Sequence, residues 1–228
     1  MIKLSKRLKA IADMISPCST IADVGCDHGF LSIYLMENSV ARRIYACDIN
    51  EGPIIRARQH IREYHMENCI DAIQCDGLSG IEACDCIVIA GLGGKLMIKI
   101  LKDSMSVTAS ARELILEPQS EIEQFRDNLV RMGYKIIAED YVLDEGKYYP
   151  IIKAVKGEME LNRMEALYGP LLLKEKNPVL KDYLIKEREH LQLLLSELKL
   201  NDTDKSRERA VEISELLSLN EKALKVFD

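Results

Sequence analysis

The chain has 228 residues, of which 47% are hydrophobic and 30% charged. This length allows one domain of ordinary size with a buried core, together with a smaller second domain. The formal net charge of −6 argues against a protein that binds nucleic acid by bulk attraction, although a local basic patch is compatible with it. No run of 18 apolar residues and no apolar signal core occur, so we expect no membrane span, no export signal and a cytoplasmic protein.

The seven cysteines form no Cys-x-x-Cys pair. Several lie in apolar, strand-like runs, where a reduced cysteine acts as a small hydrophobic residue. Cys84 and Cys86 flank an aspartate, but no histidine or second cysteine pair lies near them in the sequence. A tetrahedral metal site needs such further ligands. We therefore predict no metal site.

The first predicted element is a helix over residues 2–15. Its apolar residues recur at helical spacing, and the helix ends before Pro17. Four cations fall mostly off the apolar face: Lys3, Lys6, Arg7 and Lys9. They form either a solvated helix face or a patch that contacts phosphates.

Strand-like and helix-like segments then alternate. Strands are predicted at 20–24, 43–47, 70–75, 86–90 and 113–117, and helices between them at 30–37, 52–65, 95–102 and 120–132. This order predicts an α/β fold with a parallel, doubly wound sheet and helices on both faces. Two further β-rich runs, 134–143 and 147–155, are joined by Asp144-Glu145-Gly146, which is typical of an antiparallel hairpin.

From about residue 157 the composition shifts to Leu, Glu and Lys without a strand signal. We therefore predict two domains, 1–157 and 158–228. The second is predicted to be an α-helical, coiled-coil-like hairpin with a turn at 201–204. Its apolar positions are Leu184, Leu191, Leu194, Leu195 and Leu198 in one helix and Ala210, Ile213, Leu217 and Leu224 in the other. The hairpin serves either packing or dimerisation, or it is an arm that contacts substrate.

The turn after the first strand has the composition of a ligand site. Asp23 ends the strand, Gly25 and Gly29 bracket the turn, and a second acid, Asp48, ends the next strand. In open α/β sheets ligands bind at the carboxyl ends of the strands, where glycine permits close backbone approach and an acid accepts bonds from ribose hydroxyls. The pattern predicts a cofactor that contains a nucleoside.

The residue at the centre of this turn distinguishes two cofactor classes. A dinucleotide site has Gly-x-Gly-x-x-Gly, but the position two after Gly25 is Asp27, an anion where pyrophosphate would lie. S-adenosyl-L-methionine has no phosphate and carries a positive sulfonium and an amino group. The carboxylates therefore favour S-adenosyl-L-methionine over NAD.

Two further strand ends support a ligand site. Asp76-Gly77 follows the third strand, and the glycine-rich run 89–94 follows the fourth. An acid after the third strand suits the exocyclic amine of an adenine, and a glycine-rich turn suits a flat substrate. The alternative for Gly91, Gly93 and Gly94 is a tight strand-to-helix turn without a ligand.

Motifs along essentially the whole chain resemble the bacterial TrmK family of tRNA methyltransferases. They are Leu4-Ser5-Lys6-Arg7-Leu8, Asp23-Val24-Gly25-Cys26-Asp27-His28, Gly52-Pro53, Asp76-Gly77-Leu78, Ile89-Ala90-Gly91-Leu92-Gly93-Gly94, Gly146-Lys147-Tyr148-Tyr149 and Tyr168-Gly169-Pro170. The chain departs from the family pattern at Cys26, usually Ser, at Asp48, usually Glu, and at Glu117-Pro118-Gln119, usually Gln-Pro-Asn. The last departure affects the substrate side of the site.

The resemblance implies a Rossmann-like methyltransferase sheet and methyl transfer from S-adenosyl-L-methionine to N1 of the adenine at tRNA position 22. It also implies that Asp27 is the catalytic carboxylate; the alternative is that Asp27 only binds the methionine amino group. The predicted cofactor-binding residues are Asp23, Gly25, Cys26, Asp27, His28, Asp48, Ile49, Asp76, Gly77, Ala90 and Gly91. The predicted tRNA-binding residues are Lys3, Lys6, Arg7, Lys9, Gly93, Gly94 and Tyr149.

A second group of cations on the C-terminal hairpin is a further predicted RNA contact, and both groups are expected to flank the mouth of the cofactor site. The hairpin residues are Lys174, Lys176, Lys181, Lys186 and Arg188. Two other functions are compatible with the sequence. One is a methyltransferase for a small molecule or a protein, and the other is a non-catalytic, cofactor-binding interaction module. The sequence does not determine the oligomeric state.

Overall fold

A computed structural model describes residues 2–200 and 203–228 of the chain. The chain divides into two compact units, Met1–Glu160 and Leu161–Asp228. The strands are β1 (Thr20–Val24), β2 (Arg43–Asp48), β3 (Ile70–Gln74), β4 (Cys86–Leu92), β5 (Glu113–Pro118), β6 (Tyr134–Asp144) and β7 (Lys147–Lys156). The helices of the first unit are α1 (Lys6–Met14), α2 (Phe30–Glu37), α3 (Glu51–Glu63), α4 (Gly94–Asp103), α5 (Met105–Ser110) and α6 (Ile122–Arg131).

Within the described residues the strands form one sheet in the order β3-β2-β1-β4-β5-β7-β6. The pairs among β1 to β5 are parallel, whereas β7 pairs antiparallel with both β5 and β6. The predicted Rossmann-like sheet with a terminal antiparallel hairpin is therefore confirmed. The strand order reverses between β1 and β4, and a crevice opens at the carboxyl ends of strands at such a point.

Helices cover both faces of the sheet. Helix α2 contacts α1 and α3, and α4 contacts α5 and α6. The central strands between these layers are buried along nearly their whole length. In β5, for example, each of the six residues is buried, and the two glutamates Glu113 and Glu117 are among them. Burial of this kind is what a parallel sheet covered on both faces imposes.

Most element boundaries lie within one or two residues of the predicted ones, but the start of α1 differs by four residues, and helix α5 was not predicted. Helix α1 begins at Lys6 and not at residue 2, because Ser5 has an extended backbone and its hydroxyl accepts a hydrogen bond from the Leu8 N–H, which caps the helix. Strand β4 continues to Leu92 and pairs there with Pro118 after a register shift, so part of the predicted glycine-rich turn belongs to the sheet.

The second unit is helical in its described part, with α7 (Arg163–Tyr168), α8 (Pro170–Lys174), α9 (Pro178–Leu200) and α10 (Asp204–Lys225). The short helices α7 and α8 were not predicted, because five or six residues are too few to show a helical period. Asn162 and Glu165 cap the start of α7 reciprocally, and Pro170 begins α8 at the first helical position, where a missing N–H has no cost.

Helices α9 and α10 lie antiparallel within the second unit. Asn220 of α10 donates hydrogen bonds to the Leu184 carbonyl and to Glu187 Oε2, both of α9, each at 2.9 Å. The predicted apolar residues Leu184, Leu191 and Ile213 are buried. Of the predicted turn at 201–204, residues 201 and 202 lie outside the described residues, and Thr203 caps α10 by accepting from the Ser206 N–H.

No helix among the described residues is long and apolar enough to cross a membrane. The same part of the chain contains no group of three or more His, Cys, Asp or Glu side chains that could hold a metal ion. The cysteines are free thiols.

Candidate functional site

A cavity of about 320 Å³ lies at the carboxyl ends of the central strands. Its wall consists of Arg7, Leu8, Asp23, Gly25, Cys26, Asp27, His28, Phe30, Leu31, Asp48, Ala90, Gly91, Leu92 and Gln119. The volume falls within the range of about 300–1,000 Å³ that is usual for sites of small ligands. The cavity therefore lies where the strand order predicts a ligand.

The turn between β1 and α2 forms one side of the cavity. Gly25 and Gly29 have positive φ angles of 78° and 71°, which glycine adopts without steric cost. The N–H groups of Gly25 and Cys26 both donate to the Cys47 carbonyl, at 2.8 and 2.9 Å, and so fasten the turn to β2. A Cβ atom on Gly29 would lie 3.3 Å from the Ala57 Cβ, so α3 also packs closely against the turn.

Asp27 projects from this turn in a left-handed conformation, with φ of 47°, which aspartate tolerates better than most residues. Its Oδ1 accepts a hydrogen bond from Arg56 Nη2 at 3.1 Å, and its Oδ2 lies 3.6 Å from His28 Nε2. The side chain is 63% exposed. Asp27 is thus a largely exposed carboxylate that lines the cavity and is restrained by a bond from Arg56 of α3.

Three aromatic rings stack beside Asp27. The His28 and Phe30 centroids lie 5.4 Å apart, and the Phe30 and His60 centroids 4.6 Å apart. The His60 Nδ1 lies 2.9 Å from the His28 carbonyl oxygen. Because a carbonyl only accepts, Nδ1 carries the proton there. This bond fixes the His60 ring and, through it, the stack.

Asp23 lies at the base of the cavity and is almost fully buried. The Ser32 hydroxyl donates to its Oδ2 at 2.7 Å. Loss of water around the carboxylate raises its pKa to about 6, and the Ser32 bond lowers the pKa by less. Asp23 therefore keeps its proton to a higher pH than an exposed aspartate does, and its bond with Ser32 joins β1 to α2.

Asp48 forms the side of the cavity at the end of β2. Its Oδ1 accepts from the Asn50 N–H at 2.8 Å, which fixes the carboxylate at the start of α3. Three further predicted cofactor residues, Ile49, Asp76 and Gly77, follow neighbouring strand ends but lie outside the cavity wall. A Cβ on Gly77 would lie 2.9 Å from Ile100 Cγ2, so close packing against α4 accounts for that glycine.

Glu117 is a buried carboxylate behind the opposite side of the cavity, with no exposed side-chain surface. Its Oε2 accepts from Arg7 Nη1 at 2.7 Å and from the Gly91 N–H at 2.8 Å. Desolvation raises the pKa of Glu117, and the Arg7 guanidinium opposes the shift. The ion pair joins α1, β4 and β5 at the cavity.

The cations predicted to bind tRNA have different surroundings. Arg7 forms the ion pair above, and its guanidinium lies over the Tyr149 ring, 5.2 Å from the centroid, so two predicted tRNA-binding residues meet. Lys9 forms an ion pair with Asp13. Lys3 and Lys6 are exposed.

The glycines predicted to bind substrate lie at the start of α4. A Cβ on Gly93 would lie 2.9 Å from Ser120 Oγ, and one on Gly94 would lie 2.7 Å from the Ser120 carbonyl oxygen. The Gly94 N–H also donates to that carbonyl at 3.1 Å. Close packing accounts for both glycines, and their predicted contact with tRNA stays a prediction.

Sequence reasoning missed part of the cavity wall. Leu8, Phe30, Leu31 and Leu92 are apolar residues of predicted elements, and nothing in their spacing distinguishes a cavity wall from a core. Gln119 also belongs to the wall, and the only sequence signal for it was its departure from the family pattern.

Comparison with known proteins identifies the family. Residues 4–152 match the family model described as a methyltransferase domain. The chain is 30% identical over 227 residues to the tRNA (adenine(22)-N(1))-methyltransferase of Bacillus subtilis, an alignment that covers 96% of this chain and 95% of that protein.

Solved structures agree in fold along the whole chain. The crystal structure of the B. subtilis m1A22 tRNA methyltransferase TrmK superposes with a TM-score of 0.89 at 29% identity, covering 98% of this chain and 100% of that one. A Streptococcus pneumoniae protein in complex with S-adenosyl-L-methionine gives the same TM-score and identity, covering 97% and 100%. With a cavity at the switch point of the same sheet, the chain belongs to the methyltransferase domain family and, within it, to the TrmK family of tRNA methyltransferases.

Proposed function

We propose that this protein transfers the methyl group of S-adenosyl-L-methionine to N1 of the adenine at position 22 of tRNA. The main support is a cavity at the strand ends that is lined by three carboxylates, Asp23, Asp27 and Asp48. The chain that forms this cavity aligns with an m1A22 methyltransferase over nearly its full length. The protein acts, on this proposal, in the cytoplasm, where tRNA is found.

The residues of the cavity fit this cofactor. Gly25 has no Cβ and leaves room beside the Ala90 carbonyl oxygen, which would lie 3.7 Å from such an atom. The three carboxylates would repel a pyrophosphate, but they favour an amino group and a sulfonium. Asp48 would accept bonds from ribose hydroxyls, as acids after the second strand do in related sheets. Ile49 and Asp76, at adjoining strand ends, remain candidates for contacts with the cofactor's adenine.

When bound, S-adenosyl-L-methionine supplies an electrophilic methyl group. The N1 atom of adenine already has a lone pair, so the protein needs no base to create a nucleophile. Its work is to align N1 with the methyl carbon and to stabilise the positive charge that develops on the ring.

Asp27 is the proposed catalytic carboxylate. Its charge faces the cavity, and the bond from Arg56 and the proximity of His28 restrict its orientation. A carboxylate there stabilises the developing charge and accepts a hydrogen bond or a proton from the exocyclic amine of the base. The target adenine must leave its stack to reach this position.

Because the protein has a net charge of −6, tRNA must bind to a local cluster of basic residues and not by overall charge attraction. Lys3 and Lys6 are exposed near the start of α1, the helix that also carries Arg7 into the cavity wall. We assign them contacts with phosphates, which position an RNA without reading its sequence.

A methyl-transfer assay tests the proposal. The purified protein is incubated with radiolabelled S-adenosyl-L-methionine and two tRNA transcripts that differ only in adenine or guanine at position 22. We expect label in the adenine transcript and background in the other. Equal labelling of both transcripts would contradict the assignment of position 22.

The same assay separates the alternatives. Label in proteins or small molecules of an RNA-free extract, with none in tRNA, would indicate a different methyltransferase. Cofactor binding without transfer to any of these acceptors would indicate a non-catalytic binding module.

A further inference from the structure

Glu117 and Gln119 lie together at the end of β5, beside the wall of the cavity. Glu117 Oε2 is saturated by Arg7 and the Gly91 N–H, whereas Oε1 is buried and accepts no hydrogen bond within the described residues. A buried carboxylate oxygen has a strong requirement for a donor. A donor on a neighbouring residue would satisfy this oxygen.

Gln119 lines the cavity, and its side chain interacts with Glu117. Its backbone N–H donates to the Leu92 carbonyl at 2.9 Å, which fixes the residue beside the β4 turn. Its Nε2 lies 3.8 Å from the position that a Cβ on Gly91 would occupy, on the same turn that Glu117 holds. The Gln119 side chain lowers the pKa of Glu117, although no hydrogen bond of normal length and angle joins the two side chains.

This arrangement orients the amide. A carboxylate only accepts, so it favours the orientation in which the Gln119 amide nitrogen faces Glu117. The amide oxygen then points away from Glu117. Because Gln119 lines the cavity, this orientation makes the oxygen available to a ligand as a hydrogen-bond acceptor, on a residue whose backbone N–H is bonded to the end of β4.

A fixed acceptor distinguishes the bases. Adenine carries an exocyclic amine, a donor, where guanine carries an oxygen, an acceptor. The exocyclic amine has two hydrogen atoms, one on the N7 side and one on the N1 side. An acceptor that receives a hydrogen bond from the N7-side hydrogen leaves the N1 lone pair free. Methylation of N1 makes the ring positive and its amine a better donor, so this bond strengthens as the reaction proceeds.

We propose that the Gln119 side-chain oxygen accepts a hydrogen bond from the exocyclic amine of the target adenine, and that Glu117 is a positioning residue that sets the orientation of the Gln119 amide. The inference rests on the proposed function, because it names what recognises the base in that reaction.

The test measures discrimination for the amine. Values of kcat/KM are determined for two tRNAs that carry adenine or unsubstituted purine at position 22, with the wild-type protein and with Gln119→Met, which keeps the side-chain length without polar atoms. The discrimination ratio of each protein is its kcat/KM for the adenine tRNA divided by its kcat/KM for the purine tRNA. The difference in intrinsic reactivity between the two bases affects this ratio equally in both proteins. Dividing the wild-type ratio by the Gln119→Met ratio therefore isolates the interaction between Gln119 and the amine.

We expect discrimination by the wild type to exceed that by Gln119→Met about tenfold, the value of one hydrogen bond of ordinary strength. Equal discrimination by the two proteins would overturn the inference while leaving the proposed function intact. A wild-type protein that methylates neither tRNA would overturn both.

Two further variants separate recognition from structure. Gln119→Asn retains an amide on a shorter side chain and should recover part of the discrimination, whereas a purely structural role predicts none. Glu117→Gln can present either end of its own amide to Gln119 and should reduce discrimination. The matched change Glu121→Gln, at a carboxylate that pairs with Lys95 outside the cavity wall, should leave discrimination unchanged. The affinities of Gln119→Met and Glu121→Gln for S-adenosyl-L-methionine, measured by calorimetry, should match that of the wild type.

Discussion

At the scale of single residues, Asp27 has three features that suit a catalytic carboxylate. It has a left-handed backbone within a glycine-bracketed turn, it is largely exposed, and a bond from Arg56 restrains it. A left-handed backbone is uncommon outside glycine, although aspartate tolerates it better than most residues. This conformation places the Asp27 carboxylate in the cavity wall.

Replacement of Asp27 by alanine should lower kcat for tRNA methylation by about 100-fold or more, the usual contribution of a positioned acid or base. Because Asp48 and the backbone of the turn remain, S-adenosyl-L-methionine should still bind, with a Kd that rises much less than kcat falls. Asp103→Ala is the matched control, since that aspartate on α4 is also 63% exposed and forms an ion pair. A large rise in Kd with normal kcat would instead assign Asp27 to the methionine amino group.

Asp23 predicts a specific pH dependence of stability. Its folded pKa of about 6 exceeds the ordinary value of 3.8, so the folded state binds the proton more tightly. The associated stabilisation is complete below about pH 4 and is lost as the pH rises to about 6 and above. The loss amounts to roughly 3 kcal/mol, from 1.36 kcal/mol per pKa unit.

The measurement is urea unfolding of wild type and Asp23→Asn between pH 4 and pH 8 without cofactor. The free energy of unfolding of the wild type should fall relative to that of the variant by roughly 3 kcal/mol across this range. A difference between the two proteins that stays constant with pH would mean that Asp23 titrates normally.

At the scale of elements, the cations in and just before α1 differ in ways that the sequence does not show. The four cations Lys3, Lys6, Arg7 and Lys9 look equivalent in the sequence, but Arg7 is tied to a buried carboxylate and Lys9 to Asp13. Glu117 is 110 positions from Arg7, and no periodicity reveals a pairing over such a distance. Removal of Arg7 would leave a buried charge unpaired and destabilise the fold, so it is a poor test of RNA binding.

The exposed lysines provide the cleaner test of the α1 contact. Lys3→Gln combined with Lys6→Gln should weaken tRNA binding and reduce the slope of log Kd against log salt by about one per lysine. Thermal stability should not change, because both side chains are exposed. Filter binding at several salt concentrations measures the slope. Lys99→Gln with Lys102→Gln on α4 is the control, and an unchanged slope in the α1 variant would remove that helix from the RNA interface.

At the scale of the whole molecule, local patterns were sufficient to predict the sheet. Each strand of the parallel part has an acid or a glycine within two residues of its carboxyl end, so the strand positions and the ligand-binding edge follow from sequence. Eight of the eleven predicted cofactor residues lie in the cavity wall for the same reason: Asp23, Gly25, Cys26, Asp27, His28, Asp48, Ala90 and Gly91.

What sequence could not predict depends on contacts between distant segments. The ion pair of Arg7 and Glu117, the stack of His28 and Phe30 with His60, and the place of Gln119 all require the fold. The short helices α7 and α8 were missed for a different reason. The Asn162 cap sets where α7 begins and Pro170 sets where α8 begins, and both helices are too short to show a helical period. The boundary between domains at residue 157 and the RNA contacts of the helical hairpin stay predictions.

One measurement tests the central claim most directly. The purified protein is incubated with S-adenosyl-L-methionine and with total tRNA from cells that lack this protein, and the modified nucleotide is mapped by mass spectrometry of nuclease fragments and nucleosides. The account predicts a single new methyl group on adenine 22, released as 1-methyladenosine. A methyl group at another position, or 6-methyladenosine at position 22, would contradict it.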